Sequence, residues 1–195
     1  KMHKIILASN SKVRKKILDE NQIQCKVFPS DIDEELEKKN FIKENFSPEM
    51  ISKNLAELKA NKISLKFNNE IVLGADSVID INGELISKPK NREEALKILK
   101  KLNGKTHYLI SSVCISKHGS MIWNCTDKAA LTMKNMTDKQ LKEYLSKITD
   151  EALYAYNVYQ IEGEGRILFL KIEGDEDTIM GLPVKKIKDY LRNFK

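Results

Sequence analysis

Helical and strand patterns that alternate along the chain, with hairpin turns between some of them, predict an α/β domain built on a mixed sheet. Three observations carry that expectation. An apolar run from Lys4 to Ala8 breaks into the polar turn Ser9-Asn10-Ser11 and then into a helical pattern. Asn82-Gly83 separates two strand-like runs, the signal of a type I′ hairpin. Neither GxGxxG nor GxxxxGK[S/T] occurs, which sets aside Rossmann and P-loop architectures.

The elements follow in order. Ser11 is a natural N-cap for a basic helix from Lys12 to Glu20 that turns Val13, Ile17 and Leu18 inward. Ser47-Pro48-Glu49 opens a second helix, with Pro at its first position and Ile51, Leu55, Leu58 and Ile63 on its apolar face. Glu70 to Ile81 reads as a strand, and Glu84 to Ser87 as its return. Asn91 with Glu94 has the spacing of a capping box for a helix to Leu102, which Asn103-Gly104 ends. Further strands are expected at Tyr108 to Ser116, Met121 to Asn124, Ala129 to Met133 and Arg166 to Ile172. Thr137 and Gln140 cap a helix to Lys147, and Val184 to Phe194 is amphipathic.

Bulk properties narrow the function classes. The chain of 195 residues has 41% hydrophobic and 32% charged residues, and it shows no repeat or linker. A single domain from residue 2 to 195 is expected, with Lys1 an addition ahead of the natural start at Met2. No apolar run reaches the roughly 20 residues of a membrane span, and the start lacks a signal-peptide pattern, so the chain reads as cytoplasmic with no membrane partner. Cys25, Cys114 and Cys125 are widely spaced and read as isolated thiols. The net charge of +6 raises nucleic-acid binding, but lysines spread along the whole chain and only Arg14, Arg92, Arg166 and Arg192 as arginines argue against it.

Four polar clusters interrupt the apolar elements. Ser9-Asn10-Ser11 with Arg14 sits at a strand-to-helix turn, where small residues and backbone N–H groups suit a phosphate, although an ordinary capped helix needs the same residues. Asp76 in Gly74-Ala75-Asp76-Ser77 stands inside a strand pattern, where a buried carboxylate has to pair, bind a metal or accept a proton, the alternative being a solvated Asp at the strand's end. Lys88-Pro89 follows the hairpin. Tyr159 to Gly165, Glu173-Gly174-Asp175 and Gly181-Leu182-Pro183 follow near the end, with glycines that let backbone approach a ligand or form a bulge before the next strand.

Taken in order, these segments resemble the Maf family, also called septum formation proteins. The resemblance rests on Leu7 to Ser11 with Arg14, Asp33-Glu34, Lys59-Ala60, Gly74 to Val78 and Lys88-Pro89. It continues through Leu102 to His107, Gly163 to Gly165, Glu173 to Asp175 and Gly181 to Pro183. The resemblance implies an α/β fold with a single mixed, strongly twisted sheet flanked by helices, in two lobes with a central cleft. It implies a nucleoside triphosphate pyrophosphatase, dependent on a divalent metal such as Mg²⁺ or Mn²⁺ and often a homodimer.

Residue by residue, the resemblance makes Asp76 the proton acceptor, with Glu34, Lys59 and Lys88 as catalytic partners and Asp76 with Glu34 facing the metal. Ser9, Ser11 and Arg14 fall at phosphate-handling positions, and Val13, Ser77 and Glu162 at positions tied to substrate choice. His107 matches a family position but reads as structural. Three departures bear on the base. Val13 stands where many members carry an arginine, Glu162 where thymidine/uridine-type members carry glutamine, and Tyr156-Asn157-Val158 where Ala-Gly-Ala is usual. The rival reading is a regulator of cell division that binds nucleotide or nucleic acid without turnover.

Overall fold

Seven strands form one sheet: Cys25–Val27, Ile5–Leu7, Ile71–Ile81, Thr106–Lys117, Ser120–Met133 and Phe169–Glu173 lie side by side in that order, and Glu84–Ile86 pairs with Ile71–Ile81 on the edge that Ile5–Leu7 also uses. The computed structural model describes residues 4–156 and 158–194, with the backbone alone at 155 and 156. Lys1, Met2 and Asn157, and the side chain of Tyr156, lie outside the described residues.

The strands are β1 (Ile5–Leu7), β2 (Cys25–Val27), β3 (Ile71–Ile81), β4 (Glu84–Ile86), β5 (Thr106–Lys117), β6 (Ser120–Met133) and β7 (Phe169–Glu173). The helices are α1 (Lys12–Glu20), α2 (Glu34–Lys43), α3 (Pro48–Ser64), α4 (Arg92–Leu102), α5 (Asp138–Ser146), α6 (Asp150–Tyr156), α7 (Glu176–Met180) and α8 (Val184–Arg192). β1 runs parallel to β2 and β3, and the other pairings are antiparallel, which makes the sheet mixed.

Local chemistry explains most boundaries. The Ser11, Ser47 and Thr137 side chains accept the N–H groups of Arg14, Met50 and Gln140. Asn82 and Gly83 have φ of 51° and 85°, the left-handed pair that a tight hairpin needs. The expected capping box at α4 is modified: Asn91 caps Glu94, but the Glu94 carboxylate accepts from Lys90 N–H instead of Asn91. Leu58, expected inside, is 38% exposed.

Two hydrophobic clusters share the same strands. One packs α1 and α8 against Ile71, Leu73, Val113 and Ile115. The other packs α4 and α5 against Ile79, Ile81, Leu109 and Leu131. α3 covers the opposite face through Ala56, Ala60 and Ile63. Among the described residues, no helix is long and apolar enough to cross a membrane.

Three expectations change. The strands from Met121 to Asn124 and from Ala129 to Met133 are one strand, because β5 pairs with β6 through the polar residues between them. The strand expected from Arg166 begins only at Phe169, behind a 3₁₀ turn at Glu164–Leu168. β2, α2, α6 and α7 were not anticipated.

Candidate active site

A gap in strand pairing creates the cleft. β5 lies along one edge of β3 from Val72 to Asp80. On the other edge, β1 pairs with Ile71–Leu73 and β4 with Ile79–Ile81. Between them, Gly74 to Val78 has no strand neighbour on that edge among the described residues. A cleft of about 1330 Å³ opens there. Ligands commonly enter an α/β sheet where neighbouring connections diverge in this way.

Successive residues of a strand face opposite sides, and this directs the motif in β3. Asp76 faces α3, and Ser77 faces α1 and α7. Gly74 permits the close approach of α3, since a Cβ there would stand 2.3 Å from the Ala56 carbonyl oxygen and 2.7 Å from the Ala60 nitrogen.

On the α3 side, Lys59 Nζ donates to the Ala75 carbonyl at 3.0 Å and lies 3.3 Å from Asp76 Oδ1. It also lies 2.5 Å from Glu34 Oε1, the first residue of α2. Ser52 Oγ donates to the Asp76 carbonyl at 3.0 Å. Asp76 is 4% exposed, and its Oδ2 has no hydrogen-bond partner. Burial raises the Asp76 pKa, aided by Glu34 and opposed by Lys59, Lys38 and Arg14. Burial also opposes the Glu34 charge, but Lys59 above all, with Lys38 and Arg14, outweighs it and holds that carboxyl below its ordinary range. The half-exposed side chain of Glu34 and the buried one of Asp76 thus receive opposite shifts from one shared lysine.

On the other side, Arg14 Nε donates to the Gly181 carbonyl at 2.9 Å and Nη2 to Ser77 Oγ at 3.2 Å. Burial lowers the Arg14 pKa, while Asp76 and Glu34 oppose the shift. Ser9 Oγ accepts from Ser11 N–H at 3.1 Å, and Ser11 Oγ caps α1. The Ser11 side chain and amide are therefore already engaged within the turn. Val13 packs against the α1–α8 cluster and also lines the cleft.

Lys88 and Glu162 lie on the far wall. Lys88 keeps solvent-accessible surface, but it sits within a cleft among other cations. Desolvation first, then Arg14, Lys38 and Lys59, lower its pKa against the pull of Glu34. Glu162 Oε1 accepts from Gln160 Nε2 at 2.8 Å. Every site residue expected from sequence therefore lines one cleft: Ser9, Ser11, Val13, Arg14, Glu34, Lys59, Asp76, Ser77, Lys88 and Glu162.

Lys38, Gln160 and Ser52 were missed. Lys38 stands one turn beyond Glu34 on α2, a helix with no apolar stripe to reveal it. Gln160 belongs to the polar cluster around Glu162 but had no role assigned, and Ser52 carried no local signal. His107 is a core residue, with Nε2 2.8 Å from the Tyr159 hydroxyl and a pKa lowered to about 4 by burial.

The donor set fits a hard divalent cation. Asp76 Oδ2 is buried without a partner, and Glu34 contributes a second carboxylate to the same lysine. No group of three or more His, Cys, Asp or Glu gathers among the described residues. Two carboxylates completed by phosphate and water oxygens are a familiar set for Mg²⁺.

Comparison with known proteins places the whole chain in a family. Residues 4–194 match the sequence profile of the family described as Maf-like protein. The chain is 72% identical to a nucleoside triphosphate pyrophosphatase of Pelagibacter ubique, over 98% of both chains. It is 36% identical to a protein of that name from Ruegeria sp., over 96% of this chain and 94% of the relative. It is 34% identical to a 7-methyl-GTP pyrophosphatase of Rhizobium etli, over 98% of this chain and 96% of the relative. With nine ordered motifs, close relatives along its whole length and a profile match over residues 4–194, the chain belongs to the Maf family.

Proposed function

We propose that this chain is a nucleoside triphosphate pyrophosphatase in which Asp76 accepts the proton of a water that attacks the α-phosphorus, releasing the monophosphate and pyrophosphate. The observation that carries the reading is Asp76 Oδ2, a buried carboxylate oxygen without a partner on a group whose pKa is raised, lining a cleft rich in cations. A base shifted toward the working pH accepts a proton more effectively than an ordinary aspartate.

The surrounding residues divide the remaining work. Glu34, held ionised, pairs with Lys59 and keeps its ammonium beside Asp76. Lys59, Lys88 and Arg14 offset charge that develops on the phosphates and the leaving pyrophosphate. Ser9 and Ser11 shape the turn that faces the phosphates. Glu34 and Asp76 would hold a divalent cation, Mg²⁺ or Mn²⁺, which supplies charge neutralisation on phosphate oxygens. Val13, Ser77 and Glu162 border the space for the nucleoside, with Glu162 as the reader of the base. A regulator that binds without turnover has no use for a desolvated carboxylate in this position.

Pyrophosphate release from a panel of standard and modified triphosphates in ¹⁸O-labelled water tests the reading. The label is expected in the monophosphate, with pyrophosphate released in one step. Label in the pyrophosphate, or stepwise loss of orthophosphate, would overturn it.

A further inference from the structure

Ser111 is fully buried in β5 and does not line the cleft, yet it connects directly to Arg14's hydroxyl partner. In register it stands opposite Ser77 on β3 and Asp127 on β6, so the three share one face of the sheet. Ser77 Oγ and Ser111 Oγ are 2.7 Å apart, and Ser111 Oγ donates to the Thr178 carbonyl at 2.8 Å. Thr178 Oγ1 in turn donates to Asp127 Oδ2 at 2.7 Å, and Lys186 lies 3.4 Å from Asp127 Oδ1.

The proton directions in this row are forced. A guanidinium only donates, so Ser77 Oγ accepts from Arg14. A carbonyl only accepts, so the single Ser111 proton goes to Thr178. Ser77 must then donate to Ser111. The sequence Arg14 to Ser77 to Ser111 to Thr178 has one consistent arrangement, and each link polarises the next. The second anchor of Arg14 is the carbonyl of Gly181, the C-cap residue of the same short helix that carries Thr178. Both ends of the guanidinium are therefore referred to α7, directly at Nε and through two hydroxyls at Nη2.

We infer that Ser111 is a positioning residue for Arg14, holding its guanidinium plane ready for the triphosphate; the substrate class rests on the function proposed above. Without the Ser111 oxygen, Ser77 loses its acceptor, and its proton is free to rotate toward Arg14. The arginine then loses a fixed partner and must be ordered by the ligand, which costs affinity. Planar, two-pronged phosphate recognition is the property of arginine most sensitive to such loosening.

A double-mutant cycle with Ser111→Ala and Arg14→Ala tests this, read as calorimetric affinity for an α,β-methylene triphosphate analogue in the intact protein. Ser111→Ala is expected to weaken binding roughly tenfold when Arg14 is present, as for one lost hydrogen bond to a charged group. In the Arg14→Ala background the same change should cost less than about twofold. In turnover, the loss should appear mainly in KM, with kcat less affected. Equal losses in both backgrounds, or no loss with Arg14 present, would overturn the inference. If Ser111→Ala does not fold, Ser111→Cys, which keeps a weak donor at similar volume, takes its place in the cycle. Failure of the wild type to release pyrophosphate from any triphosphate would count against the proposed function, while the affinity cycle decides the role of Ser111 independently.

Discussion

Lys59 Nζ and Glu34 Oε1 stand 2.5 Å apart and tie the buried middle of α3 to the first turn of α2. The contact leaves Lys59 shared between a half-exposed carboxylate and a buried one. Removing the Glu34 charge leaves Asp76 as the carboxylate partner of the ammonium, beside the Ala75 carbonyl. Glu34→Gln is expected to lower kcat/KM by roughly tenfold or more, with a higher Mg²⁺ concentration at half-maximal rate. Steady-state rates across a metal titration check both.

The same variant should show a pH-dependent stability defect. The folded Glu34 pKa is depressed, so its contribution is present above its ordinary value of 4.5 and is lost as pH falls through the folded value. Thermal melts should separate wild type from Glu34→Gln at pH 7, and the gap should close as the pH drops well below 4.5. A gap that persists at low pH would assign the defect to packing.

Asp76 carries the opposite sign. Its folded pKa is raised from 3.8, so the native state binds the extra proton and stability falls as pH rises from 3.8 toward the folded value. Asp76→Asn is expected to lose roughly 10²-fold or more in kcat while melting at least as high as wild type at pH 8. The acid limb of the wild-type kcat profile should lie above the ordinary aspartate value. Wild-type turnover by a folded Asp76→Asn protein would remove Asp76 from the mechanism.

Gly74→Ala should damage the fold without touching a charged group. The added Cβ meets helix backbone, not the end of a flexible side chain, so α3 must move away from β3. Overpacking of this kind costs about 1–3 kcal/mol, and contact with backbone favours the upper end. Denaturant unfolding gives the figure directly. An unchanged midpoint would show that α3 is free to shift.

Glu162 offers a test of base choice. An ionised carboxylate only accepts hydrogen bonds, whereas pyrimidine O2 and O4 are acceptors too. Guanine, N7-methylated guanine or cytosine nucleotides should therefore be turned over better than dTTP or UTP. Gln160 fixes one Glu162 oxygen, and the other is available to a donor on the base. Glu162→Gln is expected to shift the kcat/KM ratio toward dTTP and UTP by roughly tenfold. A wild-type preference for dTTP or UTP that survives the change would show that Glu162 does not read the base.

The sequence announced elements where a single residue type is physically required. Ser11, Ser47 and Thr137 mark helix starts because their hydroxyls satisfy otherwise open N–H groups, and Asn82-Gly83 marks a hairpin because both residues take positive φ. α2 left little trace, since it buries no residue and offers no apolar stripe. β6 looked broken because Thr126 and Asp127 are polar, but their side chains are occupied by Ser112 and Thr178 across the sheet and α7. The site residues were legible through the order of their motifs. Links such as Arg14 to Gly181 and Ser77 to Ser111 join residues 167 and 34 positions apart, and only strand register and helix docking reveal them.

The unpaired stretch of β3 also measures distance. Leu73 pairs with β1 and Ile79 with β4, and the six steps between them, at about 3.3 Å each, hold the two walls roughly 20 Å apart along the strand. The walls hang from one uninterrupted strand that a continuous β5 backs along this length. Asp76, Ser77 and Val78 line the gap, so changing one of them alters what it contains. Adding or deleting one residue there would alter its width by about 3 Å and exchange the faces onto which Asp76 and Ser77 project. The segment is a gauge as much as a motif: its length sets the width of the gap as its side chains set the chemistry.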